Sequence, residues 1–524
     1  MRISVGIIGK KQSFKEKIMA IAHRDDHVVE REGQGIDVFN PVTSELIGTV
    51  PQTSADEVAL AVERARHAQQ KWAAMPARER ARILAHWSEL MWQNKEEAMA
   101  IIRQETGKND AGAFIEIVLM DMTAAYYTRH GPKMLRSQKR QPAFPLLQTA
   151  RVYYKPHGVV GMISPWNYPM LLALIDVVPA LIAGNAVVFK PSEITPYSAL
   201  YAVDTLGKAG LPENVAQVVT GDGVVGAELV KHVDYICFTG STEVGRKVAQ
   251  QAAARLIPYS LELGGKDPMI VLKDADLDIA ASYALQGACE NAGQTCTSVE
   301  RIYVEDAIYD EFISKLREQL KGLNIGSGDG LDAHMGSLTN ERELLRAERH
   351  IEDAINKGAE LISGGQRRPD LGPLFFEPAL LANVDHSMEV MQEETFGPLI
   401  PIMRVADADE AVRLANDGDY GLSGSVFTAN TKAGEQLATR LNTGDISVNR
   451  VNAVPGSPRL PWGGQKSSGI GRRGGPEGLM RFVSPQSIVV DRQIGVKPAH
   501  SVIDPVTYRL LNMMHTVRKW MPFL

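Results

Sequence analysis

The chain has 524 residues, 44% hydrophobic and 23% charged, with a formal net charge of -6. That is ordinary globular material, long enough for two or three domains, and its Lys and Arg residues are spread rather than massed, so there is no electrostatic footprint for nucleic acid. The three cysteines, Cys237, Cys289 and Cys296, form no C-x-x-C pair, which speaks against a disulfide scaffold and a zinc site; no metal is expected, and a reducing, cytoplasmic setting fits.

Residues 1–35 are charged, show no turn-bounded strand pattern and read as an N-terminal extension; the apolar run from Val5 to Ile8 is shorter than a secretory core and is followed by Lys10 and Lys11. Between residues 55 and about 129 the apolar positions recur at helical spacing, with breaks at Pro76 and Gly107, which predicts several helices. Residues 141–158 look like an extended arm. From 159 to 263 short β-branched strands, at 159–163, 186–189, 216–219 and 235–238, alternate with helices. That is the pattern of a parallel, doubly wound α/β sheet. Residues 170–189 are apolar enough to imitate a membrane span, but Asp176, Pro179 and Asn185 make them a buried helix followed by a strand. A second α/β region runs from 269 to about 448, with strands at 269–272 and 301–304 and an amphipathic helix at 308–320, before a glycine- and proline-rich loop at 454–477. Beyond it, Val506, Leu510, Met513, Met514, Val517 and Met521 share one helical face. This amphipathic extension, residues 498–524, would pack on the protein or a neighbouring subunit, touch a membrane peripherally, or cover a substrate tunnel.

A nucleophilic cysteine needs a route to thiolate, an oxyanion donor and a base. Cys296 lies in Asn291-Ala-Gly-Gln-Thr-Cys-Thr-Ser298, a small and polar setting, whereas Cys237 sits in an apolar strand and Cys289 in a helical run, as structural thiols do. Glu262 ends a strand in Leu261-Glu-Leu-Gly-Gly-Lys266, where the glycines allow its carboxylate to face a cleft; a salt-bridged strand-end acid would give the same pattern. Asn167, in Ile163-Ser-Pro-Trp-Asn-Tyr-Pro169, is placed to donate to an oxyanion or simply to make a turn. Phe238-Thr-Gly-Ser-Thr-Glu-Val-Gly245 follows a strand and opens a helix, where amide groups can meet phosphate. Lys190 and Glu193, in Lys190-Pro-Ser-Glu193, follow another strand and could hold ribose hydroxyls or be bland exposed charges.

In this order, Ser164-Pro-Trp-Asn-Tyr-Pro169, Lys190-Pro-Ser-Glu193, Phe238-Thr-Gly-Ser241, Glu262-Leu-Gly-Gly265, Gly293-Gln-Thr-Cys296, Glu394-Thr-Phe-Gly-Pro398 and Pro461-Trp-Gly-Gly464 resemble the aldehyde dehydrogenase superfamily over nearly the whole chain. The resemblance implies a Rossmann-type cofactor domain (36–140 and 159–265), an α/β catalytic domain (266–460) and a small oligomerisation arm (141–158 and 482–497) of a homodimer or homotetramer. It implies Cys296 as nucleophile, Glu262 as base and Asn167 as oxyanion donor in the oxidation of an aldehyde to its acid. Lys190 and Glu193 would then serve the adenosine ribose, Trp166 and Ser241 the pyrophosphate, and Glu394 and Phe396 the nicotinamide ribose, with Ser192 a further cofactor contact. Further cofactor contacts are implied for Ile163, Ser164, Pro165, Gly223, Gly226, Phe238, Thr239, Gly240, Val244, Leu263 and Gly264. Because Glu193 would repel a 2′-phosphate, NAD is expected over NADP.

By the same resemblance Tyr168, Leu172, Ile175, Thr295 and Thr297 would line the substrate tunnel, favouring an apolar or aromatic aldehyde. Similarity to bacterial succinic-semialdehyde dehydrogenases, including Val299-Glu-Arg301, points instead to an acidic substrate that needs a cationic anchor. A relative that passes its acyl group to coenzyme A typically lacks the base, and a crystallin-like, non-catalytic member would tolerate loss of Cys296 or Glu262; both residues are present. The pattern departs at Gly471-Arg472-Arg473, where many members have Gly-Arg-Glu, which puts a second relay acid in doubt. It departs again at Thr297 and Ser298, which exclude the redox disulfide some members make beside the nucleophile.

Overall fold

The computed structural model describes residues 35–143, 147–327, 330–492 and 505–520. The N-terminal extension and Met521 therefore lie outside the described residues, Gly35 excepted. The chain divides into two compact units, residues 1–135 with 155–484 and residues 136–154 with 485–524.

In the larger unit five parallel strands lie in the order Tyr259–Glu262, Tyr235–Thr239, Val159–Ile163, Ala186–Lys190 and Ala216–Val218, and Gly469–Ile470 adds antiparallel at the Tyr259–Glu262 edge. The three central strands are almost wholly buried, which is why they read as apolar runs without alternation. From Val159–Ile163 the chain winds outward in one direction, then returns to lay Tyr235–Thr239 on the other side. That reversal opens a crevice at the carboxyl ends of the two strands, where sheets of this kind bind ligands. Ser164 to Asn167 form one lip and Gly240 with Ser241 the other.

The second sheet has seven strands, in the order Glu360–Ser363, Ala379–Ala382, Leu399–Val405, Val299–Glu305, Asp267–Val271, Ser425–Phe427 and Ser447–Val448, all parallel except the first. Only Leu263 to Lys266 separate its strand Asp267–Val271 from the first sheet in the chain. The fold is thus the α/β architecture that the alternation predicts.

Before the sheets come a hairpin, Gly35–Phe39 with Leu46–Pro51, and four helices, Ala55–Ala74, Ala77–Gln93, Lys95–Thr106 and Asp110–Met134. The first helix opens with a reciprocal capping box between Ser54 and Glu57. Breaks fall at Pro76 and Gly107, as the periodicity predicts, and also at Asn94, which no proline or glycine marks. The apolar stretch after Tyr168 is a buried helix, Pro169–Ala183, followed by a strand. Among the described residues no helix is long and apolar enough to cross a membrane.

That helix starts on a buried charge. Glu116 accepts from the amides of Met170 (3.1 Å) and Leu171 (3.0 Å) and pairs with Lys108 at 2.5 Å, with both side chains almost fully buried. A carboxylate satisfies two orphan amides and the positive end of the helix dipole.

The smaller unit holds a three-stranded sheet in the order Val483–Asp491, Gln148–Pro156, Gln138–Arg140. Its arm begins at Gln138, three residues before the extended stretch read from the sequence. Ile488, Val489 and Val490 are exposed on it. The terminal helix runs Pro505–Trp520; Val506, Met513 and Val517 of its apolar face are exposed, while the side chains of Leu510 and Met514 lie outside the described set.

Removing the carboxylate in Glu116→Ala strands Lys108 and two amides, so unfolding free energy in urea should fall by about 3–5 kcal/mol. The double variant Lys108→Met, Glu116→Gln should recover most of that loss.

Candidate active site

The helix Leu277–Cys289 gives way to a left-handed turn before the strand Val299–Glu305: Asn291, Ala292 and Gly293 have φ of 53°, 56° and 72°. For non-glycine residues that conformation costs roughly 1–2 kcal/mol each, so the surroundings must hold it. Gln294 does most of this. Fully buried, it accepts from the Thr339 amide at 2.8 Å and donates to the Asn291 carbonyl at 2.9 Å. Its own carbonyl accepts from the side chains of Asn291 (3.0 Å) and Asn167 (2.9 Å). Gly293 is required sterically, since a Cβ there would sit 2.2 Å from the Gly397 carbonyl oxygen. The turn delivers Cys296 beside Asn167, whose second amide hydrogen is left for another acceptor.

Cys296 is half-buried, and its thiol is pushed up to about 12 by burial and by the nearby carboxyls of Asp267, Glu394 and Glu262. Glu262 ends its strand opposite Thr239 on one side and Gly469 on the other. It is 4% exposed, and neither carboxyl oxygen has a hydrogen-bond partner among the described residues. Burial raises it to about 7, against the pull of Arg473 and Arg481. The salt-bridged strand-end reading therefore does not hold. A Cβ on Gly265 would fall 2.3 Å from the Cys296 carbonyl oxygen, so the glycine pair lets the Glu262 strand run directly against the cysteine. A neutral thiol and a half-ionised carboxyl at neutral pH can pass a proton between them. Cys237 and Cys289 are buried, their thiols also raised to about 12 by burial, and they lack such a carboxyl.

Ile163, Ser164, Pro165 and Trp166 meet Phe238, Thr239, Gly240 and Ser241 at the crevice between the central strands. Ser241 caps the helix Thr242–Ala254, and Val244 is exposed on its first turn. The Ser164 hydroxyl is buried without a partner. Lys190 bonds the Gly221 carbonyl at 2.7 Å and pairs with the more exposed Glu193 at 3.4 Å, with Ser192 between them. Gly223 opens the next helix and Gly226 packs at Lys190. Leu263 and Gly264 continue from Glu262 to Glu394, which accepts from the Gly265 amide at 3.0 Å and is raised to about 8 by burial. Phe396, at φ 55°, sets its ring edge against Trp166 at 5.4 Å. An open helix N-terminus, an orphaned buried hydroxyl and a lysine–carboxylate pair at a strand end fit a dinucleotide.

Sequence reasoning missed what holds this wall. Glu300 accepts from the amides of Thr395 (2.8 Å) and Phe396 (2.9 Å) and pairs with buried Lys266 at 2.5 Å. Elsewhere, His350, Glu389 and Glu393 converge in a metal-like group, but Arg349 hydrogen-bonds all three.

Cys296 lines a cavity of about 990 Å³. Tyr168, Leu172, Ile175, Thr295 and Thr297 all line it. Much of the wall that the sequence reading left out comes from the helix Asp110–Met134, through Ile115, Val118, Leu119 and Met122. That helix is apolar on more than one face, so its pattern does not separate tunnel from core. Tyr168 bonds Thr295 at 3.0 Å and Glu290 at 3.3 Å, with the Lys108 ammonium 3.6 Å from its ring centre. Among the lining residues, Glu290 is an acid at the start of the turn that carries Cys296, and Arg450 and His334 are exposed.

A family model described as the aldehyde dehydrogenase family matches residues 28–488. A Mycobacterium tuberculosis protein provisionally named succinate-semialdehyde dehydrogenase [NADP(+)] 2 is 44% identical over 91% of this chain and 93% of its own length. A Methylomonas protein named 4,4'-diapolycopene aldehyde oxidase is 39% identical over 87% of this chain and 86% of its own. The crystal structure of betaine aldehyde dehydrogenase from Staphylococcus aureus in complex with NAD+ superposes with a TM-score of 0.85 at 31% identity, covering 89% of this chain and 94% of that one.

The buried Glu262 carboxyl has a consequence for stability. With its pKa raised from 4.5 to about 7, the folded protein keeps a proton that the unfolded chain has lost across that window, so stability falls there as pH rises. Glu262→Gln escapes the loss. Its urea stability relative to the unmodified protein should grow through the same window, levelling off above it at a gain of the order of 3 kcal/mol.

Proposed function

The chain belongs to the aldehyde dehydrogenase family, oxidoreductases that act on aldehydes with NAD(P), and from that premise we propose that Cys296, Glu262 and Asn167 oxidise an apolar aldehyde to its carboxylic acid. One observation carries the reading. A buried carboxyl without a partner among the described residues, poised near neutrality, acts on the thiol of a cysteine that lines an apolar cavity.

The Cys296 sulfur adds to the aldehyde carbon as its proton passes to the ionised carboxylate of Glu262. The free hydrogen of the Asn167 amide and the Cys296 N–H stabilise the oxyanion. NAD(P), bound across the crevice by Lys190, Glu193, the Ser241 helix terminus, Glu394 and Phe396, supplies the acceptor for the hydride that leaves this carbon. Glu262, having released that proton to solvent, then takes one from water as that water attacks the thioester and passes it to the departing sulfur, so that the acid leaves while Cys296 regains its thiol. The intact Cys296 and Glu262 pair stands against a non-catalytic role. Glu193, partly exposed beside Lys190, favours NAD, although the Mycobacterium tuberculosis relative's name carries NADP(+).

Aliphatic walls from two helices, Asp110–Met134 and Pro169–Ala183, support an apolar substrate, as does the name of the Methylomonas relative. Glu290 would repel a carboxylate in the tunnel. The second reading, succinic semialdehyde, is favoured by the name of the Mycobacterium tuberculosis relative, and Arg450 is the lining cation that would serve it. The exposed strand residues Ile488 to Val490 suit a homodimer or homotetramer.

Formation of reduced cofactor should vanish in Cys296→Ala. In Glu262→Gln the burst of one equivalent should be slowed and steady turnover should drop by about a hundredfold or more. Across hexanal, decanal, benzaldehyde and succinic semialdehyde, kcat/KM should favour the apolar compounds. A preference for succinic semialdehyde that Arg450→Ala abolishes would instead establish the second reading.

A further inference from the structure

We propose that Arg473 is a positioning residue for the base: clamped by Asp176 and Thr239, it supplies a counter-charge that lets Glu262 ionise without forming a salt bridge to it. This rests on the reading of Glu262 as base.

Arg473 is 3% exposed and lies in the Gly471-Arg472-Arg473 segment that departs from the family pattern. Its guanidinium holds Asp176 through both Nε (3.1 Å) and Nη2 (2.7 Å), and Nη2 also donates to the Thr239 hydroxyl at 2.5 Å. Arg481 bonds the same carboxylate and reaches the Ser260 hydroxyl at 3.0 Å. Two buried guanidiniums thus share one carboxylate, leaving one positive charge in excess. Glu262 is the buried acid that can balance it.

The geometry links the two directly. Thr239, which Arg473 holds by its side chain, is the cross-strand partner of Glu262. Arg473 exchanges both backbone hydrogen bonds with Trp462, at 2.8 and 2.7 Å. The next residue, Gly463, lies against the carboxyl of Glu262, since a Cβ there would be 2.8 Å from Oε1. The charged groups acting on Glu262 are Arg473, Arg481, Asp176 and Arg472, and the Cys296 thiol faces it.

A buried carboxyl with no cation nearby stays protonated at neutral pH, whereas one locked in a direct salt bridge is too weak a base. Asp176 and Thr239 hold the Nε and Nη2 donors of Arg473, and neither Glu262 oxygen has a hydrogen-bond partner among the described residues, so the charge acts on Glu262 without a hydrogen bond to it. The carboxyl oxygens of Glu262 remain free for water.

The test is the pH profile of thioester hydrolysis, followed as steady turnover after the burst, in folded Arg473→Gln, Arg473→Lys and Asp176→Asn. The acid limb should move up by about one pH unit or more in Arg473→Gln and stay near its original place in Arg473→Lys. It should move down in Asp176→Asn, which leaves two cations unopposed. A merely structural role would slow all three without opposite shifts, and unshifted limbs would overturn the proposal. Should Arg473→Gln fail to fold, Arg481→Gln removes a cation acting on Glu262 while leaving the Arg473 fork, and the same upward shift is required of it. Glu262→Gln separates the two claims. If it keeps the acid limb, the base reading itself falls; if the limb vanishes there but the Arg and Asp variants leave it in place, only the counter-charge falls.

Discussion

A single carboxamide hydrogen bond, from Asn167 to the carbonyl of Gln294, ties the end of one sheet's central strand to the turn that carries the cysteine. Much follows from it. Asn291 and Ala292 are held in a backbone region that would otherwise relax, because Asn291 bonds back to both Asn167 and Gln294. The sulfur is thereby fixed relative to the Asn167 amide. Tyr168, next in the chain, is set against Thr295, and both line the cavity with Cys296.

The buried acids sort into two kinds. Glu116 and Glu300 each accept from two consecutive backbone amides and pair with a buried lysine, one fixing the start of a helix and the other the Glu394 loop. A carboxylate so surrounded is a structural anchor, since both oxygens accept hydrogen bonds and its charge is answered. Glu262 has none of these partners. An unanswered buried carboxyl costs stability; Asp445 is another among the described residues, and what sets Glu262 apart is that it acts on the Cys296 thiol.

The central strands were legible because parallel strands buried on both faces must be β-branched and apolar, and the cysteine because its small, polar neighbours differ from the apolar ones around Cys237 and Cys289. The helix break at Asn94 was hidden, since neither glycine nor proline makes it. The strand Gln138–Arg140 was hidden too, being three polar residues whose pairing with Arg151 and its neighbours is all that makes them extended. Least legible were the partnerships: Arg473 meets Asp176 across nearly 300 residues of chain. Periodicity reports only which face is buried, and an arginine on a loop carries no mark of the carboxylate it will find.

The apolar cavity also bears on the far end of the proposed reaction. An aldehyde is neutral and partitions readily into a wall of leucine, isoleucine and methionine, but the acid it becomes ionises once it meets water. A carboxylate in that corridor has an acidic neighbour in Glu290 and loses hydration worth several kcal/mol. On that reading, the lining that suits the aldehyde disfavours the acid and its re-entry.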